Sequence, residues 1–142
     1  MAERILIIED HPDFLELLTY TLHAAGYTVL AATTGKEGLE MAQREQPDLI
    51  LTDLMLPLLN GYEICSMLKQ DIRYQHIPIL MLSATKVRDK DEQLAKDCGA
   101  NLFMLKSTES KQLLVSVRAL LSSKRAGEGL SSGAPPPLSS SP

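Results

Sequence analysis

Five positions carry side chains suited to phosphoryl or metal chemistry, and each stands where a short apolar run ends. Glu9 and Asp10 follow Arg4–Ile8, Asp53 follows Leu49–Thr52, Ser83 follows Ile79–Leu82, and Lys106 follows Leu102–Leu105. An acid at the mouth of a buried strand is costly to desolvate, and it keeps its charge only where something uses that charge. Three carboxylates drawn together repel. At about 4 Å and an effective dielectric near 20, each pair costs on the order of 4 kcal/mol. Lys106 offsets one charge, and a divalent cation would offset the rest. The donors are all oxygens, with no His or Cys at the same edge apart from His11, which suits Mg²⁺ rather than zinc. A carboxylate beside Mg²⁺ can act as a nucleophile toward a phosphoryl group and form an aspartyl phosphate. Ser83 could donate a hydrogen bond to one phosphoryl oxygen, and Lys106 could neutralise another.

The elements that bring these residues together follow from the apolar pattern. Continuous apolar runs such as Ile5-Leu6-Ile7-Ile8 mark strands buried on both faces. They alternate with helical periodicities over Pro12–Ala25, Gly35–Gln46, Gly61–Asp71, Lys86–Cys98 and Thr108–Ser122. Tyr27–Ala31 supplies the remaining strand. Such alternation predicts βαβ units, a parallel sheet with helices on both faces, and a binding crevice beyond the carboxyl ends of the strands. The fourth helix has a thin apolar stripe (Val87, Leu94, Cys98) and many charges, so it is expected to be loosely held.

The bulk properties narrow the classes. The chain has 142 residues, 44% hydrophobic and 23% charged, which suits one ordinary globular domain. The net charge of −4 argues against nucleic acid as a direct ligand. No apolar run is long enough to span a membrane, and Met1-Ala2-Glu3-Arg4 leaves no room for a signal peptide. Cys65 and Cys98 both fall at apolar helix positions and read as buried thiols, consistent with a cytoplasmic protein. From Ser122 onward, 14 of 21 residues are Ser, Pro or Gly, which predicts a folded domain over residues 1–122 and a disordered tail or linker over 123–142.

In four motifs the sequence resembles the receiver domain of two-component response regulators, over about residues 3–122. These are Ile7-Ile8-Glu9-Asp10; Asp53-Leu54-Met55-Leu56-Pro57 with Gly61; Ser83-Ala84; and Gly99-Ala100-Asn101-Leu102-Phe103-Met104-Leu105-Lys106. The resemblance implies a doubly wound, flavodoxin-like α/β fold with strand order 2-1-3-4-5. It implies a phosphorylation-controlled switch in which Asp53 accepts a phosphoryl group from a sensor histidine kinase or phosphotransfer protein. Glu9, Asp10, Asp53 and the backbone carbonyl of Met55 would hold Mg²⁺. Ser83 and Lys106 would hold the phosphoryl group, with Ser83 and Phe103 acting as switch residues. Output to an effector or a second copy would run through the face of the fourth helix, fifth strand and fifth helix. The domain would assist its own phosphorylation and dephosphorylation without being a conventional enzyme.

The match has departures. Ser107 follows Lys106 where the family commonly has a proline after a cis bond. A cis bond before a non-proline residue costs about 2.5–4 kcal/mol, so a trans bond is expected here. Phe103 replaces the commoner tyrosine, and His11 stands where a third acid is sometimes found. Two rivals remain. A pseudo-receiver that binds partners without phosphorylation has Ser107 in its favour and the full acid set against it. A metal-dependent phosphatase would want an acid two residues after Asp53, where this chain has Met55. There is no Gly-x-x-x-x-Gly-Lys or Gly-x-Gly-x-x-Gly loop to bind a nucleotide.

Overall fold

A computed structural model describes residues 2–84, 93, 94 and 96–130. The strands are β1 (Arg4–Ile8), β2 (Thr28–Ala32), β3 (Leu49–Asp53), β4 (Ile79–Ser83) and β5 (Leu102–Leu105). The helices are α1 (Pro12–Ala24), α2 (Gly35–Glu45), α3 (Gly61–Lys69) and α4 (Ser110–Leu130). All strand pairs are parallel, in the order β2-β1-β3-β4-β5. This is the doubly wound fold that the alternating pattern predicts. Most of the expected fourth helix over Lys86–Cys98 lies outside the described residues; Gln93, Leu94, Lys96 and Asp97 have helical backbone.

The pleat sends alternate residues to opposite faces. On one face Ile5, Ile7, Leu49, Leu51, Leu80 and Leu82 pack with Leu18 and Leu22 of α1 and Leu113, Val117 and Leu121 of α4. On the other, Leu6, Ile8, Ile50, Ile79 and Met81 pack with Ala42 of α2 and Ile64, Cys65 and Leu68 of α3. Each aliphatic side chain buried in this way contributes roughly 1.5–3 kcal/mol relative to an exposed one.

Local signals set the helix ends. Pro12 occupies the first turn of α1, where its missing N–H costs nothing. Thr34 caps α2 by accepting from the Glu37 N–H. Asn60 and Glu63 form a reciprocal capping box at the start of α3. Gly61 is required there, because a Cβ would lie 2.5 Å from the carbonyl oxygen of Asp53.

One boundary departs from the expectation. Helix α4 runs to Leu130, eight residues past Ser122, where the composition changes. Once nucleated, a helix extends at little cost per residue. Lys124-Arg125-Ala126 are good helix formers, and neither Ser123 nor Gly127 is a strong enough breaker to stop it.

Candidate functional site

Register brings the predicted residues to one edge. In the sheet Asp53 stands opposite Leu82, and Ser83 opposite Leu105. The strands that precede Glu9, Asp53, Ser83 and Lys106 therefore end level with one another. Extending the alternation one step past β1 and β5 places Glu9, Asp53 and Lys106 toward the α1 and α4 side. Ser83 and Phe103 fall on the α2 and α3 side, and Phe103 packs against the cluster there.

Lys106 is the hub. Its Nζ lies 2.8 Å from Oε1 of Glu9 and 3.1 Å from Oδ2 of Asp53. It also sits 4.7 Å from the centre of the Phe14 ring, a cation–π contact beneath the ammonium. The Lys106 N–H donates to the Ser83 carbonyl at 2.7 Å, which ties the end of β5 to the end of β4. Thr108 N–H then donates to the Leu105 carbonyl and turns the chain toward α4. The Lys106–Ser107 bond is trans, as none of the described peptide bonds is cis.

The acids are held differently from one another. Glu9 is 1% exposed and Asp53 6% exposed, while Asp10 lies at the surface. Oε2 of Glu9 accepts from the His11 N–H at 3.0 Å. Oδ1 of Asp53 accepts from the Met55 N–H at 3.2 Å. Met55 thus enters the site through its backbone while its side chain is exposed. The loop between Asp53 and α3 includes Leu58, fully exposed with φ of 69°, a left-handed conformation that costs a non-glycine residue on the order of 1 kcal/mol.

Burial lifts the Glu9 carboxyl above its ordinary range, against the pull of Lys106 and the His11 N–H, and the Asp53 charge adds to the lift. For Lys106 burial acts downward, but its pairing with the carboxylates of Glu9 and Asp53 outweighs it, and the ammonium is held above its ordinary value.

The donor set suits a hard divalent cation. Glu9, Asp10 and Asp53 each offer an oxygen, and these atoms lie within 4.8 Å of one another. Oε1 of Glu9 is buried and has no hydrogen-bond partner of good geometry among the described residues, only the ion pair with Lys106. An acidic cluster with one lysine for three carboxylates, and a buried oxygen so partnered, fits Mg²⁺ by charge and by ligand type.

Glu9, Asp10, Asp53, Ser83 and Lys106 lie at this one edge, and Phe103, three residues before Lys106, packs beside it. Phe14 lies within the helical periodicity of Pro12–Ala25, which gives it no chemical part. Its role under Lys106 depends on which face of the sheet α1 covers, which helical periodicity does not give.

Comparison with known proteins agrees with the geometry. The response regulator receiver domain family matches residues 5–118. The chain is 42% identical over 119 residues to the DNA-binding dual master transcriptional regulator RpaA of Synechocystis sp., covering 83% of this chain and 48% of that protein. It is 39% identical over 121 residues to the alkaline phosphatase synthesis transcriptional regulatory protein PhoP of Bacillus subtilis, covering 85% and 49%. The chain thus spans about half the length of these curated relatives. Among solved structures it is similar to the signal receiver domain of a signal transduction histidine kinase from Syntrophus aciditrophicus, with a TM-score of 0.80 and 32% identity over 86% of this chain and 92% of that one. It is also similar to the chemotaxis protein CheY4 of Vibrio cholerae, with a TM-score of 0.79 and 28% identity over 84% and 99%. The fold and the charged strand ends define a phosphorylation-dependent regulatory module of two-component signalling. The chain belongs to the response regulator receiver domain family. Among the described residues, no helix is long and apolar enough to cross a membrane.

Proposed function

We propose that this chain is a Mg²⁺-dependent signalling switch that takes a phosphoryl group on Asp53 from a phosphohistidine of a sensor kinase or phosphotransfer protein. The observation that carries this reading is the single ammonium of Lys106, ion-paired to both Glu9 and Asp53 at the mouth of the sheet. A carboxylate oxygen of Asp53 attacks phosphorus, the P–N bond to the donor imidazole breaks, and the imidazole nitrogen leaves with the electron pair. Glu9, Asp10, Asp53 and the Met55 carbonyl would hold the cation. When bound, it neutralises the acids and the incoming phosphoryl charge.

Lys106 holds Asp53 in place before transfer and pairs with the product afterwards. Ser83, 5% exposed at the end of β4, supplies a hydroxyl for a second phosphoryl oxygen. The product adds about −1.5 to −2 charge to an acidic site. This draws Ser83 and Lys106 together and changes the packing of Phe103 on the α2 and α3 side. The signal then leaves through the surface formed by the segment before Cys98, β5 and α4, toward an effector or a second copy of the chain. The relatives' names point to transcriptional output in longer proteins, with residues 1–122 as the receiver and 123–142 leading away from it. A cytoplasmic setting follows from a kinase partner of this kind.

The test is the mass of the chain after incubation with a small-molecule phosphodonor. One phosphoryl group is expected with Mg²⁺, with none after chelation and none in Asp53→Ala. Equal labelling of Asp53→Ala would overturn the assignment.

A further inference from the structure

A second cluster of reactive groups lies away from the charged edge. Cys65 of α3 is fully buried, and its Sγ lies 3.4 Å from the carbonyl oxygen of Cys98. Neither cysteine is in a disulfide, and each thiol shifts the titration of the other. Cys98 is half-buried and lines a groove of about 500 Å³ with Leu59, Tyr62, Met67 and Leu94. Lys69 stands one helical turn beyond Cys65, on the same face of α3. Its ammonium donates to the carbonyls of Ile77 at 2.7 Å and Gln75 at 3.1 Å. Its stem crosses Gly99, where an added Cβ would lie 2.9 Å from the Lys69 Cγ. A cation is thereby fixed beside the thiol pair.

We infer that Cys98 and Cys65 form a peroxide-sensitive thiol pair that closes to an intramolecular disulfide between α3 and the turn before β5. Access assigns the roles. Cys98 opens on the groove and attacks first, and Cys65, shielded from solvent, resolves. In the first step the Cys98 thiolate attacks one peroxide oxygen. The O–O bond breaks, sulfur is oxidised to a sulfenic acid, and the peroxide is reduced to hydroxide, which leaves as water with the proton from the thiol. In the second step the Cys65 sulfur attacks the Cys98 sulfur. The S–O bond breaks, the S–S bond forms, and the hydroxyl leaves as a second water with the Cys65 proton. One peroxide and two thiols give one disulfide and two waters.

The neighbouring Cys65 thiol draws the Cys98 thiol down, toward the thiolate that attacks peroxide. The bond would close a loop spanning 33 residues, long enough to restrict the unfolded chain and raise the thermal midpoint.

The test treats the whole chain with hydrogen peroxide, alkylates it under denaturing conditions and maps the peptides without reduction. The expected result is a monomer lighter by two hydrogens, with the peptides of Cys65 and Cys98 joined, both sites lost to alkylation, and the thermal midpoint raised until a reductant is added. In Cys65→Ala the sulfenic acid at Cys98 is expected to persist and to be trapped by dimedone. If that variant fails to fold, the wild-type peptide map decides alone. Thiols that stay alkylatable, disulfide-linked dimers, or oxidation of Cys98 that leaves Cys65 reduced in the wild-type chain would each overturn the inference.

Discussion

The centre of the sheet and its β5 edge are built to different standards. Along β1, β3 and β4 nearly every side chain is buried, and the aliphatic residues there are at most 3% exposed outside Arg4. All four residues of β5 are only half-buried. Glu9, Asp10, Asp53 and Ser83 hang from the densely packed strands. Lys106 and Phe103 hang from the looser one. The acids therefore have a fixed geometry, while their counter-cation rides on a less tightly packed edge strand. A new charge at Asp53 would move β5 before it moved the centre, which is what a switch requires.

The largest effect should come from cutting the centre. Leu51→Ala is expected to cost about 3–5 kcal/mol, while Met104→Ala on β5 should cost about 1–2 kcal/mol, because less of its side chain is buried. Denaturant midpoints read at constant m-value measure both. Equal costs would mean that the edge is packed as tightly as the middle. An intermediate effect is expected at the charged link between the two regions. Lys106→Met strands Glu9 and Asp53 without their cation and should destabilise the chain by about 3 kcal/mol in the absence of divalent metal. Adding Glu9→Gln should recover much of that loss, as coupled partners do in a double-mutant cycle. Simple addition of the two costs would show that the pair is not coupled.

The smallest effect belongs to the surface. Asp71, just past α3, accepts from the Arg73 backbone N–H at 2.9 Å and pairs with its guanidinium at 2.7 Å. The guanidinium hydrogen bond, more than the backbone one, holds the Asp71 carboxyl below its usual 3.8. A depressed carboxylate stabilises the fold above the unfolded value, and that stability is lost as pH falls from 3.8 through the folded value. Asp71→Asn should therefore lower neutral-pH stability slightly and flatten the acid limb, so that variant and parent converge at low pH. A variant whose acid limb matched the parent's would rule the pair out as a contributor.

Much of this was legible in the sequence, for physical reasons. Five apolar runs bounded by Pro, Gly and polar residues can only be strands of a covered parallel sheet, and an acid, hydroxyl or lysine at each relevant end then shares one edge. What could not be read was anything that depended on faces and partners. The Phe14 ring under Lys106 and the approach of Cys65 to Cys98 arise from packing between elements far apart in sequence. The end of α4 was misread because composition marks where a core stops, whereas a helix stops only where its own backbone is broken.

The central claim is that Asp53 is the group that accepts phosphorus. An acyl phosphate, unlike a phosphoester, is cleaved by borohydride to the alcohol, so reducing the phosphorylated chain and sequencing it by tandem mass spectrometry reads the acceptor directly. The expected product is homoserine at position 53 and an unmodified carboxyl at Glu9 and Asp10. Homoserine at position 10, or a borohydride-stable phosphate at Ser83, would contradict the account.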